Sequence, residues 1–139
     1  MIIEKLPQEY VLQVVSLQQQ IVPYPIDADS AVKQYETMQH QPDCCVLIAR
    51  DEKDIIGTVS GFCCRGLAGT FLAIEDLIVK KTHRGSGIGG KLMDAIHAYG
   101  RERGCSYAIL VSSGFRKQAH KFYEKKGYIE EVRGFRKDL

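Results

Sequence analysis

A glycine-rich segment, RGSGIGG at residues 84–90, limits the fold of this chain more than any other part of its sequence. The segment follows the apolar run FLAIEDLIV and opens a helical pattern that Gly104 ends. A second compact apolar run occupies residues 107–111. A strand, a helix and a strand in this order form a right-handed crossover with parallel strands. The sequence therefore predicts one parallel β-α-β unit over residues 70–111.

The remaining patterns predict an α/β chain of the α+β type. Runs of strand composition occupy residues 1–6, 44–49, 55–64, 70–79, 107–111 and 128–132, with a last short strand near Phe135. Helical patterns occupy residues 9–22, a segment capped by Asp27 or Asp29 that ends before Pro42, the stretch after the glycine segment, and residues 117–126. We expect a mixed, mostly antiparallel central sheet of about six to seven strands with flanking helices.

Length and charge restrict the classes of function. The chain has 139 residues, 45% of them hydrophobic, which predicts a single domain over residues 1–139. Lysine and arginine total 19 against 17 acidic residues. A formal charge of +2 does not favour nucleic acid or a membrane as a partner.

The cysteines and the apolar runs indicate a reduced environment. The five cysteines show no CxxC or Cys/His ligand spacing, so no metal site is predicted. An odd number without a signal peptide argues against a secreted disulfide scaffold, and no run reaches the ~20 apolar residues of a membrane span. We expect a cytoplasmic protein.

The glycine segment itself has the features of an anion site. A strand, a basic connector (KKTH) and a helix start place free N–H groups and the positive end of a helix around one point. Glycine lets the backbone approach a phosphate closely, and Arg84 adds a charge. The sequence therefore predicts that the turn binds the phosphates of a small cofactor.

Two common phosphate-binding patterns resemble this segment, but each requires a further residue that this chain lacks. A dinucleotide fingerprint, GxGxxG, begins at Gly85, but it needs an acidic residue about 20 positions on, where this chain has Ser112 and Ser113. The stretch GSGIGGKL differs by one residue from the phosphate loop GxxxxGK[ST] of nucleotide hydrolases. Leu92 replaces the hydroxyl that would hold Mg²⁺.

A third pattern, [RQ]xxGx[GA], is matched by Arg84, Gly87 and Gly89. Here the chain closely resembles the GCN5-related N-acetyltransferase (GNAT) family, most specifically in IEDLIVKKTHRGSGIGGKLM and AHKFYEKKGY. The resemblance implies that acetyl-CoA is the cofactor and that its pantetheine arm meets the backbone of Leu77, Ile78 and Val79. It also implies that the pyrophosphate is held by the turn, which consists of Arg84, Gly85, Ser86, Gly87, Ile88, Gly89 and Gly90.

The resemblance also suggests the catalytic groups. In the second motif of the family a tyrosine is the general acid, and the resemblance assigns this role to Tyr123. The reference pKa of a tyrosine, ~10, keeps its proton available at neutral pH. Tyr123 would also flank the cofactor thioester. A backbone N–H of Ile78 or Val79 is the candidate donor to the developing oxyanion. Glu75 is the candidate base, and a carboxylate that only attracts the cationic amine is the alternative.

Some expectations concern the cofactor and the acceptor. Many family members have Asn where this chain has Arg116, which we expect to contact a cofactor phosphate instead. The expected reaction is direct transfer of an acetyl group to a primary amine of a small molecule or a peptide in a ternary complex. A non-catalytic acyl-CoA sensor or assembly subunit is the alternative, and a homodimer is compatible with the sequence.

Overall fold

Five strands and four α-helices make up the computed structural model, which describes residues 1–111 and 117–139. The strands are β1 (Ile2–Lys5), β2 (Cys44–Asp51), β3 (Asp54–Gly66), β4 (Gly69–Val79) and β5 (Tyr107–Leu110). The helices are α1 (Val11–Gln18), α2 (Ala28–Met38), α3 (Ile88–Glu102) and α4 (Lys117–Lys125), with 3-10 turns at Gln8–Tyr10 and Lys81–His83. The chain forms two compact units, residues 1–109 and 110–139.

The sheet follows the order β1-β2-β3-β4-β5 and is mixed, as predicted. β1 to β4 pair antiparallel in sequence. β5 begins beside the start of β4: the Ser106 amide donates to the Thr70 carbonyl oxygen at 3.0 Å, and the rings of Phe71 and Tyr107 stack with centroids 5.4 Å apart. The helix α3 connects these two strands, which confirms the predicted crossover.

The predicted number of strands is wrong, because five rather than six to seven form in the described part of the chain. Residues 128–139 form no helix or strand, although residues 128–132 and the stretch near Phe135 have strand composition. Ile129 and Phe135 are 75% and 96% exposed. A strand needs a neighbour for its hydrogen bonds and an apolar surface to cover, and composition supplies neither.

The core of the first unit lies on both faces of the sheet. On one face, α3 buries Leu92, Met93 and Ile96 completely. On the other, α1 and α2 contribute to a cluster that includes Val14, Leu17 and Tyr35. None of the helices that the structure describes is long and apolar enough to cross a lipid bilayer.

Local signals explain where the helices begin and end. Asp27 caps α2, because its carboxylate accepts hydrogen bonds from the amides of Asp29 and Ser30. α4 ends in a Schellman turn at Gly127, whose φ is +88°. There the Tyr128 amide donates to the Tyr123 carbonyl oxygen at 3.1 Å.

Candidate functional site

The glycine segment forms an open turn between β4 and α3. Gly85 and Gly87 have φ values of +79° and +84°, which side chains rarely adopt. A Cβ at either position would have no atom within 4 Å, so both glycines face open space. Ser86 Oγ donates to the His83 carbonyl oxygen, and Arg84 Nε donates to the Val79 carbonyl oxygen at 3.1 Å. These bonds hold the turn against the end of β4.

The first amides of α3 have no side-chain cap. Gly87 is the N-cap residue, no side chain caps the helix there, and the Lys91 amide makes a helical bond to the Gly87 carbonyl oxygen at 3.1 Å. An α-helix provides no internal acceptor for its first amides. The turn can therefore offer an anion the N–H groups of Ile88, Gly89 and Gly90.

The side chain of Ile88 belongs to the core instead. Ile88 is 6% exposed, and its Cγ2 atom would lie 3.2 Å from a Cβ at Gly57 of β3. Ile88 is one of the predicted cofactor-binding residues. Because its side chain is buried, only its backbone can contact a cofactor.

A β-bulge interrupts β4 directly before its last residues. In the register with β3, two residues of β4, Asp76 and Leu77, lie opposite Val59 alone. Asp76 has a φ of +56°, an uncommon conformation that Asp tolerates better than most residues. The side-chain alternation of a regular strand is therefore interrupted at the point where Glu75 and Asp76 lie.

At the end of β4, a backbone N–H group lies on the strand edge that does not pair with β3. Ile78 pairs with Thr58, and Val79 pairs with Gly57. Consecutive N–H groups of a strand point to opposite edges, so one of Ile78 and Val79 directs its N–H away from β3. β5 starts beside Thr70 and has only four residues, so it ends well before it could pair with Ile78 and Val79.

Glu75 and Asp76 form a pair of accessible carboxyl groups on this strand. Partial burial raises the pKa of Glu75, and the neighbouring Asp76 raises it further. Partial burial also raises the pKa of Asp76. Gln18 Nε2 of α1 donates to Asp76 Oδ2 at 3.4 Å. Asp76 was not among the predicted site residues, because its place in the bulge depends on the pairing of β4 with β3.

Tyr123 lies on α4 in the second unit. Its ring is half-buried and makes edge contacts with Phe122 and Tyr128, at centroid distances of 5.4 and 6.0 Å. Burial and the neighbouring Tyr123 raise the pKa of Tyr128 to about 12. The KKGY part of the second motif thus folds Tyr128 back onto Tyr123. Arg116 lies outside the described residues.

Both motifs lie within the part of the chain that matches a known protein family. The family model for the acetyltransferase (GNAT) family matches residues 11–128. Glucosamine 6-phosphate N-acetyltransferase of Trypanosoma brucei brucei is 38% identical over 66 residues, which are 48% of this chain and 43% of that protein. The chain thus matches less than half the length of this curated relative.

Solved structures share the fold across nearly the whole chain. The crystal structure of glucosamine-6-phosphate N-acetyltransferase from Arabidopsis thaliana has a TM-score of 0.86 at 23% identity, covering 99% of this chain and 97% of that one. A transcriptional regulator from Bacillus halodurans C-125 has a TM-score of 0.91 at 20% identity, covering 99% of both chains. The glycine turn and the fold around it, together with the family match over residues 11–128, establish that this chain belongs to the GNAT family of acetyltransferases.

Proposed function

We propose that this protein is an acetyl-CoA-dependent N-acetyltransferase that acts on a primary amine by direct transfer in a ternary complex. One observation carries the proposal: two left-handed glycines open a turn at the uncapped start of α3. Helix amides and the helix dipole at such a point favour a phosphate. Members of the GNAT family use acetyl-CoA, whose pyrophosphate suits this turn.

The resemblance to the family suggests the cofactor contacts in this proposal. Acetyl-CoA supplies the acetyl group as an activated thioester. Arg84 and the backbone of the turn hold the pyrophosphate, and the backbone of Leu77, Ile78 and Val79 holds the pantetheine arm. An outward N–H among the last residues of β4 donates a hydrogen bond to the thioester oxygen as negative charge develops there.

Two side chains move protons in the proposed reaction. Glu75 takes a proton from the ammonium group of the acceptor, directly or through water, because a raised pKa makes its carboxylate a better proton acceptor. Tyr123 gives its hydroxyl proton to the departing sulfur of coenzyme A. Asp76, adjacent to Glu75, adds negative charge that attracts a cationic amine.

An amino-sugar phosphate is the first acceptor to test. The curated relative is a glucosamine 6-phosphate N-acetyltransferase, and its matched region covers about half of this chain. A peptide amine is the competing acceptor, and a non-catalytic acyl-CoA binder is the competing function.

The test of the reaction is release of free thiol from acetyl-CoA across a panel of amino sugars, amino-sugar phosphates, polyamines and peptides. We expect turnover with at least one acceptor and a loss of about 100-fold in kcat for Tyr123→Phe. Tyr107→Phe, which also removes a phenol but keeps the ring on Phe71, serves as the control. Unchanged turnover in Tyr123→Phe rejects this residue as the acid. Binding of coenzyme A without turnover of any amine supports the non-catalytic alternative.

A separate binding test addresses the turn. Gly87→Glu places a carboxylate in front of the first amides of α3, and we expect it to weaken coenzyme A binding by about 100-fold in calorimetry. Gly104→Glu is the matched control, because Gly104 has the same φ of +84° and the same open surroundings at the other end of α3. Both variants carry similar backbone strain, so equal affinities would reject the turn as the phosphate site.

A further inference from the structure

Two cysteines lie side by side in the first unit, away from the glycine turn in sequence. Cys63 of β3 and Cys105, just after α3, have their Sγ atoms 3.4 Å apart, although 42 positions separate them in the chain. Both are half-buried and carry free thiols. An S–S bond of about 2.05 Å therefore requires the sulfurs to approach by only about 1.4 Å.

Hydrogen bonds fix the backbone of both cysteines. The Cys63 amide donates to the Asp43 carbonyl oxygen at 2.8 Å. Cys105 follows a Schellman turn, in which its amide donates to the Gly100 carbonyl oxygen at 2.9 Å and Gly104 has a φ of +84°. The proximity of the two sulfurs thus results from ordered elements on both sides.

Charged and polar groups surround the thiol pair. The hydroxyl oxygen of Tyr99 on α3 lies 3.7 Å from Cys63 Sγ. The same hydroxyl donates a hydrogen bond to the Pro42 carbonyl oxygen at 2.7 Å. Arg65 and Asp43 lie close enough to influence the ionisation of Cys105 in opposite directions. Burial and the hydrogen bond with Cys63 raise the pKa of Cys105 to about 11. A raised pKa lowers the fraction of thiolate, which is the form that attacks a disulfide.

We propose that Cys63 and Cys105 are a reversible redox site that forms an intramolecular disulfide by exchange with a low-molecular-weight disulfide such as glutathione disulfide. The sulfur of one cysteine attacks glutathione disulfide, whose S–S bond breaks and releases one glutathione. The second cysteine sulfur attacks the resulting mixed disulfide and releases the other glutathione. The protein loses two electrons and two protons, and glutathione disulfide is reduced to two glutathione molecules.

The disulfide joins the two ends of the segment that forms the phosphate turn. Residues 63–105 contain β4, the glycine turn and α3. Closing this loop lowers the entropy of the unfolded chain. Oxidation is therefore expected to raise the Tm of the protein by about 5 to 10 °C.

The test is to equilibrate the full chain without oxygen in glutathione buffers of increasing oxidising strength. After acid quenching and alkylation of free thiols, mass spectrometry counts the blocked cysteines and identifies linked peptides. We expect three alkylated cysteines instead of the five in the reduced protein, and fragments that join Cys63 to Cys105.

Three variants identify the pair. Cys63→Ser and Cys105→Ser are expected to abolish both the linkage and the rise in Tm. Cys64→Ser is the matched control, because Cys64 is adjacent in sequence but contacts the Phe62 carbonyl oxygen at 3.8 Å. No linkage in the most oxidising buffer, or a linkage through Cys64 or Cys44, would overturn the proposal. Mapping of the unmodified chain decides this even where a variant fails to fold.

Discussion

Asp43 shows how one residue can join distant parts of the chain. Its carboxylate accepts two hydrogen bonds from Arg65, from Nε and Nη2 at 2.8 Å each, and one from Arg103 Nη2 at 3.0 Å. These residues lie just before β2, near the end of β3 and just after α3. The hydrogen bonds from Arg65 and Arg103 lower the pKa of Asp43 from 3.8 to about 2.

This lowered pKa predicts a loss of stability in acid. The contribution of Asp43 is fully present above its unfolded pKa of 3.8 and is lost as the pH falls through about 2. Asp43→Asn should lower the Tm at neutral pH, and its difference from wild type should shrink as the pH falls toward about 2. Calorimetric Tm values across this range provide the measurement.

Glu36→Gln, which neutralises an exposed carboxylate on α2, is the control for this experiment. A constant Tm difference between Asp43→Asn and wild type at every pH would contradict the ionic role of Asp43.

At the scale of elements, glycines set the distance between α3 and the sheet. A Cβ at Gly61 of β3 would lie 2.7 Å from Cδ1 and Cγ1 of Ile96, and a Cβ at Gly100 of α3 would lie 2.8 Å from Leu72 Cδ2. Such distances are shorter than van der Waals contact. The helix can therefore pack this closely on β3 and β4 only because Gly61 and Gly100 have no side chains.

Gly61→Ala is accordingly expected to lower the free energy of unfolding by about 1–3 kcal/mol through overpacking. Chemical denaturation with fluorescence or circular dichroism measures this change. Gly66→Ala on the same strand is the control, because its new Cβ would meet only the Gly69 carbonyl oxygen at 3.4 Å. Equal effects of the two substitutions would show that backbone entropy, rather than contact with Ile96, dominates at Gly61.

At the scale of the whole molecule, the two units differ in how much regular structure they contain. The first unit holds the paired strands β1 to β4 and most of the buried residues. The second contains α4 and residues 128–139, which form no helix or strand. Val132 and Phe135 are exposed in the second unit. The conformational stability of the chain is therefore expected to be unevenly distributed.

Hydrogen exchange followed by mass spectrometry should show this difference. We expect the amides of β2 and β3 to exchange at rates that approach global unfolding and those of residues 129–139 to exchange with little protection. Strong protection of residues 129–139 would indicate that they pair as strands in solution, as their composition predicts. Measurements at several protein concentrations would then reveal pairing between copies of the chain.

Local patterns were sufficient to predict the glycine turn, the crossover around it and the ends of most elements. A glycine at positive φ and an aspartate cap act through atoms a few residues away, so a short stretch of sequence contains their cause. Helix α4, predicted over residues 117–126, is found at Lys117–Lys125 for the same reason.

The bulge at Asp76, the thiol contact between Cys63 and Cys105, and the missing C-terminal strands depended on the tertiary structure. Each depends on which segments become neighbours. β4 pairs with β3, the turn after α3 lies beside β3, and residues 128–139 pair with no described strand. Hydrogen-bond register and packing between segments far apart in the chain decide these features, and periodicity within one segment contains no information about its partner.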